Sequence, residues 1–145
     1  MVDVSHKPVV KRIAEAEGKI KLKTETIHKI QQEQIEKGDV FSAADLAGIL
    51  AVKKTPELIP LCHLIPLSKV DINFTVHREH VTVRCTVIGE YKTGVEMEAL
   101  VGVNTALLTI WDMVKYLEKD EEGQYPNTEI TGIKVLKKKK QKMVT

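Results

Sequence analysis

The sequence predicts an α+β domain: a four-stranded antiparallel sheet with helices packed on one face and one additional helix. Three observations lead there. Two alternating apolar segments flank His77-Arg78-Glu79-His80, as in a hairpin with one face buried and one polar. The stretch from Lys92 to Leu117 reads as one long helix, apolar on nearly every side, which must be covered by its own sheet and by something else. The elements follow in the order strand, helix, helix, strand, strand, helix, strand.

Taken in order, residues 1–18 show no strong period and are expected to form an irregular N-terminal segment. Lys19 to Lys23 alternates, with Ile20 and Leu22 on one face, and predicts the first strand. Thr24 to Glu36 places Ile27, Ile30 and Ile35 at helical spacing, ended by Gly38. Ser42 with Asp45 resembles a capping box for a second helix, Ala43 to Lys53, closed by Thr55-Pro56. Prolines 56, 60 and 66 then frame a stiff loop that carries Leu61-Cys62-His63.

Val70, Ile72, Phe74 and Val76 alternate with polar residues, and Val81, Val83, Cys85 and Val87 do so after the turn. In the long helix, Thr93 and Glu96 fit a capping box that sets the start near Gly94. Ile133 and Val135 mark the last strand, and residues 137–145 read as a basic, solvated C-terminal tail. With one helix as an insertion, this is the split β-α-β order of ferredoxin-like folds. Neither repeats nor a linker appear, so residues 1–145 are expected to be a single domain.

Composition narrows the function classes. Hydrophobic residues at 43% and charged residues at 29% describe an ordinary globular chain, and a net charge of +2 makes no case for nucleic acid. The first residues lack an apolar signal core, and Asp112 and Lys115 interrupt the long helix, so neither secretion nor membrane spanning is expected. Cys62 and Cys85 form no CxxC and suit a reducing compartment, which predicts a cytoplasmic protein. A zinc site from Cys62, His63, His77 and His80 matches no common spacing, so no metal site is expected.

Candidate chemistry gathers on the long helix. Asp112 and Lys115, three residues apart, can meet on one face. They are either a surface ion pair or an acid and a base held beside apolar walls that tune their protonation. At the other end stand Glu96, Met97 and Glu98. In an unbroken helix Glu96 and Asp112 are sixteen positions apart, roughly 24 Å along the axis, too far for one small substrate. Either the helix breaks near Gly102, or sites using both ends are built from two chains with these helices antiparallel. The apolar character all round the helix favours the second, in a symmetric oligomer.

Five stretches in register carry a family resemblance: Lys37-Gly38-Asp39-Val40-Phe41, Leu58-Ile59-Pro60-Leu61-Cys62-His63, Leu67-Ser68-Lys69-Val70, Lys92-Thr93-Gly94-Val95-Glu96-Met97-Glu98-Ala99-Leu100 and Leu108-Thr109-Ile110-Trp111-Asp112-Met113-Val114-Lys115. Together they resemble the MoaC family, the cyclic pyranopterin monophosphate synthases of molybdenum cofactor biosynthesis, from Met1 to about Leu136. The resemblance implies conversion of cyclised dihydro-GTP to cyclic pyranopterin monophosphate with loss of pyrophosphate, and a hexamer of three dimers. It implies acid/base roles for Lys37, Asp112 and Lys115, and a substrate site lined by Leu61, Cys62, His63, Met97 and Glu98. Arg12, Lys53 and His63 would help hold phosphate, and by register Lys138 would contact substrate.

The residue chemistry agrees with that reading. Guanine and pterin edges present N–H donors that a carboxylate such as Glu98 accepts, with Met97 packed on the ring; Glu96 either joins it or only caps the helix. No redox cofactor is expected, since the change is a rearrangement, though a magnesium ion on the triphosphate is compatible with it. The chain departs from many family members after the last strand, where it has Lys137-Lys138-Lys139-Lys140-Gln141-Lys142 in place of a glycine- and serine-rich lysine segment. The alternative is a nucleotide- or RNA-binding module of the same fold without catalysis. Base stacking would need aromatics on the central strands, and Val81 to Glu90 has none.

Overall fold

In a computed structural model, which describes residues 1–143, the alternating segments pair as expected. The strands are β1 (Val10–Lys21), β2 (Leu67–Val76), β3 (His80–Tyr91) and β4 (Glu129–Gln141). All neighbours are antiparallel in the order β2-β3-β1-β4, the ferredoxin-like arrangement. Helices α1 (Thr24–Gln31), α2 (Val40–Lys53), α3 (Thr55–Leu58) and α4 (Glu96–Glu118) complete the chain.

Two expectations about the ends of the chain are corrected. The segment before residue 19 is not irregular throughout, because β1 begins at Val10. Its core-facing residues are Ala14, Ala16 and Gly18, small enough for α4 to lie close above them but too small to give a strong apolar period. The lysine run is not a free tail either. Residues 137–141 belong to β4 and pair with β1, Lys138 opposite Ala14 and Lys140 opposite Arg12. A ladder is made by the main chain, and lysines suit an exposed edge strand because they deter pairing with other chains. Positions 144 and 145 of the expected tail lie outside the described residues.

The core lies between the sheet and the pair α2 and α4. Val81, Val83, Cys85 and Val87 of β3 meet Ala99, Val103, Ala106, Leu107 and Ile110 of α4. Full burial of a side chain such as Leu107 or Ile110 stabilises by about 1.5–3 kcal/mol. Length and hydropathy would let α4 cross a membrane, but more than half of its apolar window is buried within the domain. It does not break at Gly102. There the helix comes so near its neighbours that an added Cβ would stand 2.7 Å from Val52 Cγ2 and 2.8 Å from Cys85 Sγ. Gly102 is therefore a packing glycine, and the first of the two alternatives for spanning 24 Å is removed.

Both expected capping boxes are replaced. Asp39, not Ser42, caps α2, its Oδ1 accepting from the Ser42 N–H at 3.0 Å. No side chain caps α4, which starts at Glu96. At the other end of α4 the fully buried Glu118 carboxylate accepts from the hydroxyls of Thr26 and of Thr128, the latter at 2.7 Å, and from the Lys23 N–H at 3.1 Å. Such donors offset the cost of burying the carboxylate, and they fix the starts of α1 and β4 to the helix.

Candidate active site

Lys37 reaches α4 from the turn after α1. Gly38 permits that turn with φ +109°, and the Glu36 N–H donates to the Tyr116 hydroxyl at 3.0 Å. The Lys37 ammonium then donates to the Asp112 carbonyl at 3.0 Å and to Asp112 Oδ2 at 3.1 Å. Lys115 Nζ stands 3.2 Å from Asp112 Oδ1. Lys37, distant in sequence, thus joins the neighbours Asp112 and Lys115 in one unit, with a cation on each carboxylate oxygen.

Apolar walls do not tune this unit within one chain. The Asp112 side chain is 59% exposed, and its pKa lies below the usual carboxylate value because Lys37, then Lys115, hydrogen-bond the ionised form. Asp112 therefore stays an anion at neutral pH, able to accept a proton, between two groups that can supply one.

The opposite end of α4 has another character. Glu98 is buried, and burial, with a further contribution from the charge of Glu96, pushes its carboxyl up to about 7. Its Oε2 has no hydrogen-bond partner. Cys62 lies close enough for Glu98 and Glu96, after burial, to raise its thiol pKa, which makes it a wall rather than a nucleophile. Leu61 beside it is exposed. His63 Nε2–H donates to the Val2 carbonyl at 2.7 Å, so the N-terminal segment folds over that loop.

Arg12, Lys138 and Lys140 stand on the helix-facing side of β1 and β4, where they line a cavity of about 270 Å³ against Gly94 and Val95. Arg12 donates from Nη2 to the Lys92 carbonyl at 3.3 Å, while its Nε is buried without a partner. Lys138 Nζ is 3.3 Å from Glu96 Oε1. Lys140 is the residue missed from sequence, and its register with Arg12 is the signal that a strand reading would have supplied. Lys53 is exposed in the last turn of α2 and does not line this cavity.

The structure thus sorts the expected residues into two groups. Lys37, Asp112 and Lys115 gather at one end of an unbroken α4; Arg12, Cys62, Glu96, Glu98 and Lys138 gather at the other, roughly 24 Å away. Met97 opens onto an apolar groove of about 360 Å³ with Leu58, Ile59, Leu100, Val101, Asn104, Thr105 and Ile133. His77 and His80 stack at 4.2 Å where β3 begins, whereas His63 shares a cleft with Tyr91 where it ends, so the four candidate metal ligands do not converge. The sheet face away from the helices presents Glu15, Glu17 and Arg84 in ion pairs, not aromatic rings for stacking bases.

Known proteins resemble this chain along nearly its whole length. The model of the MoaC family matches residues 1–141. A protein of Thermococcus kodakarensis named probable cyclic pyranopterin monophosphate synthase is 61% identical over 97% of this chain and 90% of its own. One of Pyrococcus abyssi with the same name is 59% identical over 95% of this chain and 87% of its own. Another, of Methanothermobacter thermautotrophicus, named probable cyclic pyranopterin monophosphate synthase accessory protein, is 56% identical over 97% and 88%. With the family model covering nearly its whole length, the chain belongs to the MoaC family.

Proposed function

We propose that the protein is a cyclic pyranopterin monophosphate synthase, a cytoplasmic lyase of molybdenum cofactor biosynthesis. It converts cyclised dihydro-GTP to cyclic pyranopterin monophosphate and releases pyrophosphate. The observation that carries this reading is the Lys37–Asp112–Lys115 unit: an ionised carboxylate with an ammonium on each oxygen, suited to proton exchange as the imidazole-derived ring opens and the pterin closes. Glu98, buried with a free oxygen, accepts N–H donors of the ring edge, and Met97 packs on its face. Arg12 and Lys138, with His63 on the neighbouring loop, stabilise negative charge as the cyclic phosphate forms, whereas Lys53, outside their cavity, takes no part within one chain. The rearrangement calls for no redox cofactor, and a magnesium ion on the triphosphate would arrive as part of the substrate.

Both groups act on one substrate if two chains pair through α4. Met97, Val101, Asn104, Leu108, Asp112 and Lys115 recur at steps of three and four along one stripe of the helix, and Leu108 is 60% exposed. Antiparallel pairing across this stripe, centred near Asn104, sets the Met97 end of one helix beside the Asp112 end of the other. The sites then lie at the dimer interface, and three such dimers make the hexamer.

The deciding experiment incubates the purified protein with enzymatically prepared cyclised dihydro-GTP while pyrophosphate and pterin are followed together. Both are expected to appear. A folded, oligomeric protein that produces neither would remove the assignment, and a fully active monomer would remove the composite site.

A further inference from the structure

Glu96 has no capping role, and its actual placement calls for another. Its side chain folds back beneath Gly94, where a Cβ would collide with the carboxylate, and reaches β4, with Oε1 3.3 Å from Lys138 Nζ. The other oxygen, Oε2, is buried and has no partner. Beside it lies a cavity lined by cations: Arg12, Lys138, Lys139 and Lys140 face Gly94 and Val95, just before α4, whose first N–H groups no side chain caps. One carboxylate thus stands at the edge of a cradle of cations and occupies one of them.

A cradle made of cations alone would bind any polyphosphate, including the pyrophosphate that the reaction sets free. Glu96 changes that balance. Pyrophosphate must displace it from Lys138 with nothing but its own charge, whereas the substrate brings a ring that is held separately beside Met97 and Glu98. We propose that Glu96 is a specificity-determining residue of this site, an internal counter-ion that holds Lys138 in the empty enzyme and yields it to the substrate but not readily to free pyrophosphate. The inference rests on the proposed synthase reading for the identity of the anion. Its physical content, a carboxylate competing with phosphate for one ammonium, does not.

Titration calorimetry of the full chain with inorganic pyrophosphate tests it. Glu96→Gln is expected to bind pyrophosphate about tenfold more tightly than the native protein, and Lys138→Ala to bind it more weakly. In the double variant the gain from Glu96→Gln should shrink to within about twofold, because the two residues act through each other. Glu96→Asp, which keeps the charge but withdraws it from Lys138, should fall between native and Glu96→Gln and serves as the test should Glu96→Gln misfold. Unchanged or weaker binding in these Glu96 variants overturns the proposal. So does a full tenfold gain that persists without Lys138, since Glu96 would then act as a plain repelling charge. Turnover of cyclised dihydro-GTP, measured separately, distinguishes the two failures. No turnover with the expected pyrophosphate pattern removes the synthase and leaves the counter-ion; turnover with a flat pattern does the reverse.

Discussion

At the N-terminal end of α4, Glu98 is buried and its carboxyl titrates near 7; at the C-terminal end, Asp112 is exposed and two lysines keep it ionised well below that. Both are carboxylates on one helix, so the backbone does not set the difference. Burial with one oxygen left unpartnered favours the neutral form, and a cation on each oxygen favours the anion. One helix thereby offers a group that can give or accept a hydrogen bond near neutral pH and a group fixed as a base. Their separation of roughly 24 Å means that a single chain cannot apply both to one small substrate.

The sharpest way to break this contrast is at Asp112. Asp112→Asn keeps the shape and removes the base, and pyrophosphate release should fall by about a hundredfold to ten-thousandfold. Because Asp112 is exposed, the melting temperature should hardly change, which separates loss of chemistry from loss of fold. Near-native turnover would mean that the acid/base function lies elsewhere.

Mixing sharpens the contrast further. If each site takes one end of α4 from either chain, an Asp112→Asn protomer paired with a Glu98→Gln protomer has one site with both changes and one with neither. At substrate well below KM, where Asp112→Asn and Glu98→Gln each turn over poorly, the two proteins, unfolded and refolded together, should then recover roughly a quarter of native activity under random pairing. Without recovery, both ends belong to sites within one chain, and the helix would have to reorganise to bring them together.

That reorganisation is tested at Gly102. A hinge glycine replaced by alanine would gain helix stability, about 1 kcal/mol. A packing glycine would lose about 1–3 kcal/mol, because the added methyl meets Val52 and Cys85 inside van der Waals contact. The structure predicts the loss, and the sign of the change in denaturant midpoint decides.

How much of this was legible in the sequence follows from what each element uses to declare itself. The β2–β3 hairpin and α4 do so through large apolar side chains at their proper periods, and both were foreseen. The part of β1 before Lys19 buries Ala14, Ala16 and Gly18, whose smallness lets α4 approach but mutes the alternation. β4 is held by its main chain while its side chains face solvent, so a run of lysines hid the second half of a strand that Ile133 and Val135 had marked. At the site, Asp112 and Lys115 could be paired by helical spacing alone, and Lys37 came through family resemblance. The contact between Glu96 and Lys138 depends on sheet register, and the Glu118 network on where three separate elements converge, so no local pattern announces either. Capping was the least reliable inference, because Thr93 and Ser42 had competitors for their partners: Lys138 for Glu96, and Asp39 for the Ser42 amide.

The smallest expected effect reads the electrostatic state of Glu98 itself. Its pKa in the fold, about 7, lies above the ordinary 4.5, so between these values the native state holds a proton that the unfolded chain has released. Stability contributed by the neutral form is therefore present at low pH and lost as pH rises towards 7. Glu98→Gln mimics that neutral form at every pH. It should raise stability on the order of 1–3 kcal/mol at pH 8 and hardly at all near pH 4.5, read from paired denaturant titrations. The same proton bears on function, since Glu98 must shed it to accept two ring N–H donors. In the native enzyme KM should rise as pH falls below 7, and in Glu98→Gln that dependence should flatten at a uniformly higher KM. A stability gain that is equal at both pH values would place the cause in packing, and Glu98 would then lose its distinction from Asp112 as a carboxyl poised near neutral pH.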